Sequence, residues 1–328
     1  CYACIRVKTK GTLAPQATSA NAPGGKILLA AGAVAIAALA VYANSFSAPF
    51  VFDDLPAIRD NPTIRDLAGG LFPPQASGLP VSGRPLPNFS FALNFAVSGT
   101  GVWSYHAVNL AIHLLAALTL FGLVRRTLLT PRLRDRFGAA ALPLAWLTAL
   151  LWLVHPLATN AVTYTVERTE SLMALFFLLT LYASARSAEP GAARRWPAIA
   201  FGACALGMAC KEVMVSAPLL VLLYDRTFVS GTFREAWRSR AAFYSALAAT
   251  WLVLVYLVLS TPGRGGTAGF ATDIPVAAYA MTQFVAIVRY LTLALWPHPL
   301  VLDYGTEIVR DFTVIAPCAL AVLALVSG

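Results

Sequence analysis

Asp53 and Asp54 are the adjacent side chains of this sequence best suited to catalysis. They lie about ten residues beyond the apolar run 27 to 43, where a long segment rich in proline and glycine begins. Neighbouring carboxylates raise each other's cost of ionisation, which can bring the pKa of one of them toward the working pH of a general base. We therefore take the pair as the centre of a candidate catalytic site.

Lys211 and Glu212 separate two short apolar runs, 197 to 209 and 213 to 224. Each arm of this hairpin has about 13 residues, or roughly 20 Å of helix, against a hydrocarbon core of about 30 Å. The tip would therefore lie below the membrane surface, where charge is costly unless it is paired, lines a wet cavity or binds a ligand. We expect Lys211 to hold an anionic lipid phosphate. The alternative is a mutual ion pair that only anchors the hairpin.

A second charged turn, between the runs 139 to 157 and 171 to 185, contains His155, Glu167 and Glu170. Glu170 directly precedes the second run, so it should occupy the first turn of a helix. A carboxylate there also complements the helix dipole, and this capping role is the alternative to a catalytic one. An isolated histidine near a membrane interface is usually packed or hydrogen-bonded, so His155 gains weight only from its neighbours.

The composition is that of a membrane protein. Hydrophobic residues make up 58% of the chain and charged residues 12%, and the mean hydropathy is +0.69. Lipid cannot satisfy open backbone groups, so spanning segments must be helices. The sequence therefore predicts an all-α, polytopic transmembrane helical bundle without a separate soluble domain. The uncharged runs are 27 to 43, 107 to 124, 139 to 157, 171 to 185, 197 to 209, 213 to 224, 241 to 260 and 312 to 328.

The net charge of +9 reflects topology rather than a nucleic-acid surface, because the basic residues occupy alternate loops. The clusters are Arg6, Lys8, Lys10 and Lys26 before the first span, Arg125, Arg126, Arg132, Arg134 and Arg136 after the second, Arg186, Arg194 and Arg195 after the fourth, and Arg226, Arg234, Arg238 and Arg240 after the sixth. The positive-inside rule assigns these loops to the cytoplasm. The loops 44 to 105, 156 to 170, around Lys211, and 261 to 278 then face outward.

This topology gives a cytoplasmic N-terminal segment, 1–26, and a transmembrane domain, 27–328. The first outward loop, 44–105, should be a mixed interfacial segment with short helices. Charge does not decide whether 279 to 296 spans the membrane. The chain begins without Met and stops inside an apolar run, as expected of a fragment truncated at its C-terminus.

Cysteine usage adds little. Cys1 and Cys4 have CxxC spacing without a second pair, so redox or metal chemistry there is the minor alternative. Cys204, Cys210 and Cys318 lie in apolar runs, where buried inert thiols are usual.

The order of short motifs resembles a known family. The first motifs are Asn44-Ser45, Phe50-Val51-Phe52-Asp53-Asp54, Asn61-Pro62, Arg84-Pro85-Leu86, and Tyr105-His106 with Asn109 and His113. The later ones are His155-Pro156, Arg168-Thr169-Glu170, Lys211-Glu212, Tyr224-Asp225, Trp296-Pro297-His298-Pro299-Leu300 and Asp303-Tyr304. Together they cover about residues 40 to 305. They resemble the membrane domain of the tetratricopeptide-containing transmembrane O-mannosyltransferases and their bacterial relatives.

The resemblance implies a glycosyltransferase of the GT-C class. Such an enzyme takes a sugar from a polyprenyl- or dolichyl-phosphate donor on the extracytoplasmic face and transfers it to an acceptor hydroxyl. Protein Ser/Thr O-mannosylation is the reaction of this kind that the resemblance implies. The sequence departs from the family in two respects. It contains no tetratricopeptide repeats, which leaves acceptor binding open, and Glu167 stands where relatives often have glycine.

Sugar transfer needs a base for the acceptor proton and cations for the charge on the departing phosphate. We expect Asp53 to be the base and Asp54 to tune it or orient the acceptor. The phosphate would be clamped by two cations, Arg168 and Lys211. Three further side chains would complete the donor pocket: Glu170, His155 and Arg84. The resemblance adds four supporting residues: Glu212, His106, Asp303 and Tyr304.

A transporter or lipid flippase is the main alternative, because outward hairpins and membrane-depth charges would also serve substrate passage. The expected repeated halves are not evident in the sequence. An inactive membrane scaffold is a third hypothesis. A divalent metal is left open, although no compact HExxH or DxDxDG ligand cluster occurs.

The expected partners are membrane lipid, the lipid-linked sugar donor and a protein or glycan acceptor, without nucleic acid. Arginine-rich and alanine-rich usage favours a bacterial inner membrane over the endoplasmic reticulum, by association only.

Overall fold

The computed structural model describes residues 24–74, 79–261, 275–301 and 308–327. All regular secondary structure in these ranges is helical. Expectations for Cys1, Cys4, Asp303 and Tyr304 fall outside the described residues.

The longer helices follow the apolar runs of the sequence. They are α1 (Gly24–Tyr42), α2 (Pro85–Ser98), α3 (Val102–Leu128), α4 (Ala141–Val154), α5 (Arg168–Ser187), α6 (Arg195–Met208), α7 (Ala217–Tyr224), α8 (Phe233–Ala249), α9 (Trp251–Ser260), α10 (Val276–Leu295) and α11 (Phe312–Ser327). The predicted all-α bundle is thereby confirmed.

Within the described residues, six helical segments are long and apolar enough to cross a membrane. They are Gly24–Ser47, Val102–Leu128, Arg134–Val154, Glu212–Ser230, Phe233–Ser260 and Val276–Leu295. The chain is therefore a multi-pass integral membrane protein. The last of these segments includes most of the stretch 279 to 296 that charge left undecided.

Helices α3 and α5 run parallel and define two ends of the bundle. Near their first turns, Arg168 Nε donates to Asn109 Oδ1 at 2.6 Å. At the other end, Arg126 in the last turn of α3 pairs with Glu189, two residues beyond the end of α5. We call these the Asp53 end and the Arg126 end. Helix α4 runs in the opposite direction, since Leu153 in its last turn accepts a hydrogen bond from His113 in the first half of α3.

The described residues of 44–105 form short helical turns around α2, and the short helices expected in this segment are present. Its core contains Ile58, Ile64, Phe91 and Tyr105, all fully buried. Buried amides support this packing: Asn61 Nδ2 donates to Asn88 Oδ1 at 2.9 Å. The segment is thus a packed cap at the Asp53 end, which can hold side chains in fixed positions.

The first arm of the hairpin, α6, is short, as predicted, whereas the second arm is not, because α7 and the helical turns on either side of it form the continuous segment Glu212–Ser230, long enough to cross a membrane. Helix α6 has 14 residues and α7 has 8, and they are joined through the 3₁₀ turn Glu212–Ser216. Cys204, Met208 and Met214 pack into its core. Cys204 and Cys210 are buried as expected, whereas Cys318 is only partly buried.

Candidate active site

Asp54 is buried and fixed by the backbone. Its Oδ1 accepts a hydrogen bond from Val166 N at 2.7 Å, and its Oδ2 accepts one from Val51 N at 3.1 Å. Burial raises the pKa of Asp54 to about 6, although both backbone bonds favour the carboxylate. Asp54 therefore joins the first outward segment to the turn before α5.

Asp53 is exposed, although it is the next residue in the chain. Its backbone N–H donates to the Tyr164 hydroxyl at 3.0 Å, and its carboxylate is accessible. Phe52, immediately before it, has φ 44°, in the left-handed region that non-glycine residues seldom adopt. This turn directs the two adjacent carboxylates into different surroundings, one accessible and one internal.

Tyr164 is a site residue that the sequence analysis missed. Burial raises its pKa to about 12, so the phenol stays protonated at neutral pH and can donate its hydroxyl proton. A tyrosine at this position has no recognisable motif spacing to Asp53, which lies 111 residues earlier. The sequence indicated Tyr164 only by its position just before the Arg168-Thr169-Glu170 motif.

Lys211 and Glu212 do not pair with each other, contrary to the anchoring alternative. Lys211 Nζ pairs with Glu170 of α5. Glu212 accepts from Arg84 Nη2 at 3.3 Å. The two neighbours therefore tie the tip of the hairpin to two separate elements. Glu170 lies in the first turn of α5, as predicted, so its contact with the helix dipole and its ion pair coexist.

Arg84 is mostly buried, with 18% of its side chain exposed. One of its terminal nitrogens donates to the Pro80 carbonyl and the other to Glu212. Its buried Nε has no hydrogen-bond partner within the described part of the chain. An unsatisfied guanidinium N–H is costly in this environment, and an anion bound here would satisfy it.

Glu167 shows that these groups share one region. Burial raises the pKa of the Glu167 carboxyl, and the charges of Lys211, Glu170, Arg84 and Asp53 all act on it. Asp53, Glu170 and Lys211 thus lie at the same end of the molecule, around one part-buried carboxyl. We call this set of six residues, with Glu212 included, the charged cluster.

Arg168 occupies a different environment from the one predicted. Its side chain has no exposed surface. Its guanidinium donates to four oxygens of neighbouring segments at 2.6 to 3.2 Å: Asn109 Oδ1, Asn94 Oδ1, Ser90 O and Tyr105 O. A phosphate could not reach it without breaking this network. The structure therefore gives no support to the prediction that Arg168 clamps the donor phosphate, and it places the guanidinium at the centre of the cap's packing.

His155 and Glu170 line a cavity of about 590 Å³ between α3, α4, α5 and α10. Its other walls are mostly apolar and include Trp152, Met173 and Ala294. His155 Nδ1 accepts from Leu157 N at 3.2 Å, so its Nε2 carries the proton and donates to Ala294 O at 3.1 Å. The cavity joins the charged cluster at Glu170 to an apolar space.

His106 is buried beside the cap rather than in the cavity. Its ring Nε2 lies 3.0 Å from Ala48 O. It therefore positions the segment that leads to Asp53. Within the described ranges, no group of three or more His, Cys, Asp and Glu side chains has a geometry that could hold a metal ion.

Comparison with known proteins identifies relatives that carry one functional name. The chain is 31% identical over 312 residues to protein O-mannosyl-transferase Tmtc1 of Drosophila melanogaster, covering 85% of this chain and 35% of the relative. It is 32% identical over 217 residues to protein O-mannosyl-transferase Tmtc3 of Drosophila melanogaster, covering 58% and 23%. It is 34% identical over 180 residues to the human protein O-mannosyl-transferase TMTC1, covering 52% and 19%.

The resemblance to the tetratricopeptide-containing O-mannosyltransferases is thereby confirmed. The chain spans between about a fifth and a third of the length of these relatives. No family model matches the chain. No solved structure matches it significantly.

Proposed function

We propose that this chain is the membrane part of a glycosyltransferase that uses a polyprenyl- or dolichyl-phosphate sugar and acts at the Asp53 end. By analogy with the names of its relatives, the sugar is mannose and the acceptor is a protein hydroxyl. The observation that carries the proposal is the contact between the charged cluster and the apolar cavity at Glu170. A lipid-linked phosphate needs charged groups for its phosphate and apolar walls for its lipid chain.

The apolar cavity suits the start of the prenyl chain, with the phosphate at the charged cluster. The ammonium of Lys211 has three N–H donors, so it can bind a phosphate oxygen while it keeps Glu170. Arg84, which is part-exposed and pairs with Glu212, would supply the second positive charge beside the phosphate. Two cations would then neutralise the charge that grows on the leaving phosphate.

In the proposed reaction, the acceptor oxygen attacks the anomeric carbon of the sugar. The bond between that carbon and the phosphate oxygen breaks, and its electron pair leaves with the lipid phosphate. The acceptor hydroxyl loses its proton to the accessible carboxylate of Asp53. The Tyr164 hydroxyl, which accepts from the backbone N–H of Asp53, keeps this carboxylate in position.

The positive-inside rule supports an extracytoplasmic location for the Asp53 end, because the arginine clusters lie at the opposite end. The relatives named above come from fly and human. They give no support to the bacterial inner membrane that residue usage favoured. The chain is placed in a membrane that it crosses several times.

The test is a transfer assay on detergent-purified protein with polyprenyl-phosphate mannose and a Ser/Thr-rich peptide. Wild type should release polyprenyl phosphate and glycosylate the peptide. Asp53→Asn should lower the rate by about 10² to 10⁴, the usual contribution of a general base. Asp60→Asn is the matched control, since Asp60 lies in the same segment but forms an exposed ion pair with Arg59. It should transfer at the wild-type rate.

Equal rates for Asp53→Asn and wild type would remove Asp53 as the base. If the chain is a transporter, the wild-type protein should give the opposite result in these assays. It predicts counterflow of a substrate in sealed vesicles and no release of lipid phosphate from the sugar donor, mannose-linked or otherwise.

A further inference from the structure

A second cavity lies at the Arg126 end, outside the proposed reaction site. It has a volume of about 690 Å³ and is formed by the end of α3, the end of α5 and the turn after α7. Four guanidiniums and one carboxylate line it: Arg125, Arg126, Arg132, Arg186 and Glu189. The lining thus has a surplus of three positive charges.

Glu189 compensates only part of this charge. It pairs with Arg126, and its Oε2 lies 3.5 Å from Arg186 Nε. Arg132 donates instead to a neutral group, the Thr227 carbonyl, at 3.1 Å. The arginines at the ends of α3 and α5 also complement the negative ends of the helix dipoles. That local role does not account for a cavity of this size.

The rest of the lining is apolar and aromatic, including Leu129, Tyr224 and Phe228. It belongs to segments that are long and apolar enough to cross the membrane, Val102–Leu128 and Glu212–Ser230, or directly follows them. A ligand in this cavity would therefore meet arginines near the membrane surface and hydrocarbon-like walls beside them. Basic pockets between membrane helices on the cytoplasmic side characteristically bind the headgroups of anionic lipids.

We propose that this cavity binds the phosphate headgroup of an anionic phospholipid. The phosphate diester would accept hydrogen bonds from Arg125 and Arg132, whose guanidinium forks can bind two oxygens at once. The acyl chains would lie along the apolar side of the cavity. This site is separate from the charged cluster, so the proposal does not rest on the transferase activity.

Binding is measured on the full chain purified in detergent, by titration with dihexanoyl phosphatidylglycerol. Dihexanoyl phosphatidylcholine has the same chain length and a neutral headgroup, and inorganic phosphate supplies the anion without a lipid. We expect phosphatidylglycerol to bind and the other two ligands to bind at least tenfold more weakly. Equal binding of inorganic phosphate would overturn the assignment to a lipid. Equal binding of phosphatidylcholine, or failure of phosphatidylglycerol to bind, would overturn the site altogether.

Two variants test the location. Arg125→Gln with Arg132→Gln should weaken phosphatidylglycerol binding roughly 30-fold, because each basic residue near the surface contributes about fivefold. The matched control removes two exposed arginines of α8 outside the cavity, Arg234→Gln with Arg238→Gln. Equal loss in both double variants would show general electrostatic attraction and overturn the pocket.

Glu189→Gln should give tighter binding, a result that misfolding of the variant would not produce. Without its carboxylate, Arg126 and Arg186 are free to attract the headgroup, and binding should become about fivefold tighter. Unchanged or weaker binding by this variant, at a wild-type melting temperature, would contradict the proposal.

Discussion

The two adjacent carboxylates should respond differently to the same substitution, and Asp54→Asn is the more informative change. Asp54 is buried and accepts two backbone hydrogen bonds, whereas Asp53 is exposed. Asparagine at 54 keeps one acceptor oxygen and turns an NH₂ group toward the other backbone N–H. The loss of one bond to a charged acceptor costs about 1.5–3 kcal/mol.

The carboxylate of Asp54 also has a cost that asparagine avoids. Burial raises the pKa of Asp54 from 3.8 to about 6, which corresponds to about 3 kcal/mol in favour of the protonated form when the pH is above 6. At pH 7.5 the two effects of Asp54→Asn are therefore similar in size and opposite in sign. The net change in the free energy of unfolding should therefore be small, so pH dependence is the sharper signature.

The sign of that dependence follows from the raised pKa. The folded protein binds the Asp54 proton more tightly than the unfolded chain, so its contribution to stability is present at low pH and is lost as the pH rises through about 6. Acidification from pH 7.5 to pH 5 should stabilise the wild type by about 1.4 kcal/mol through Asp54 alone. This corresponds to a rise in melting temperature of roughly 3 °C.

Thermal unfolding of detergent-purified protein, followed by tryptophan fluorescence, measures this rise. Asp54→Asn should lack it, and Asp53→Asn should keep it. Glu167, whose pKa is also raised by burial, contributes with the same sign and cancels in the comparison of wild type with Asp54→Asn, because the charge of Asp54 is not among those that act on it. An identical pH dependence in Asp54→Asn and wild type would refute the assignment of Asp54 as the buried, structural carboxylate.

Four further predictions concern the cluster, the cap and the cavity. Lys211→Met should lower sugar transfer at least 100-fold in the assay described above, since it removes a phosphate ligand and leaves Glu170 unpaired; near-normal transfer would exclude Lys211 from the donor site. Arg168→Lys should destabilise the fold by about 3–5 kcal/mol, because one ammonium cannot replace a four-partner network, and a wild-type melting temperature would contradict this. Ala174→Phe should fill the apolar cavity and raise the KM for a long-chain donor about tenfold more than for a short-chain donor; equal effects on both would exclude the prenyl chain from it. Treatment with EDTA should leave the transfer rate unchanged, and a loss that Mg²⁺ or Mn²⁺ restores would establish a metal requirement.

The membrane fold was largely predictable because lipid imposes a simple rule on the sequence. The described part of each uncharged run lies mainly in helical segments. The basic clusters occupy every second loop between these runs. The short arm before Lys211 was also predictable, since helix length follows from residue count, whereas the arm after it continues through the charged residues Asp225 and Arg226 and is longer than its uncharged run. These properties depend on composition along the chain and need no knowledge of tertiary contacts.

The partners of individual charges were not predictable in the same way. Sequence adjacency made a Lys211–Glu212 ion pair the alternative to a phosphate site, but Lys211 pairs with Glu170 and Glu212 pairs with Arg84. Arg168 was assigned to the phosphate because of its charge, yet neutral oxygens from α2 and α3 surround it. Such contacts depend on which helices meet, and the sequence shows residue types without showing those neighbours.

The same reason explains why Tyr164 was missed and why Asp53 differs from Asp54. Both depend on one turn at Phe52 and on its contact with the segment before α5. A motif can place two carboxylates side by side in the chain. Only packing decides which one faces water.

The donor lipid is proposed to bind with its prenyl chain in the apolar cavity and its phosphate at the charged cluster. Photocrosslinking tests this placement most directly. The probe is a polyprenyl-phosphate mannose with a diazirine on its second prenyl unit, irradiated with the full chain and mapped by mass spectrometry. We predict adducts on Trp152 and Met173, which line the cavity, and their loss when unlabelled donor is added in excess. Adducts at the Arg126 end alone, or adducts that excess donor does not reduce, would contradict the proposed site.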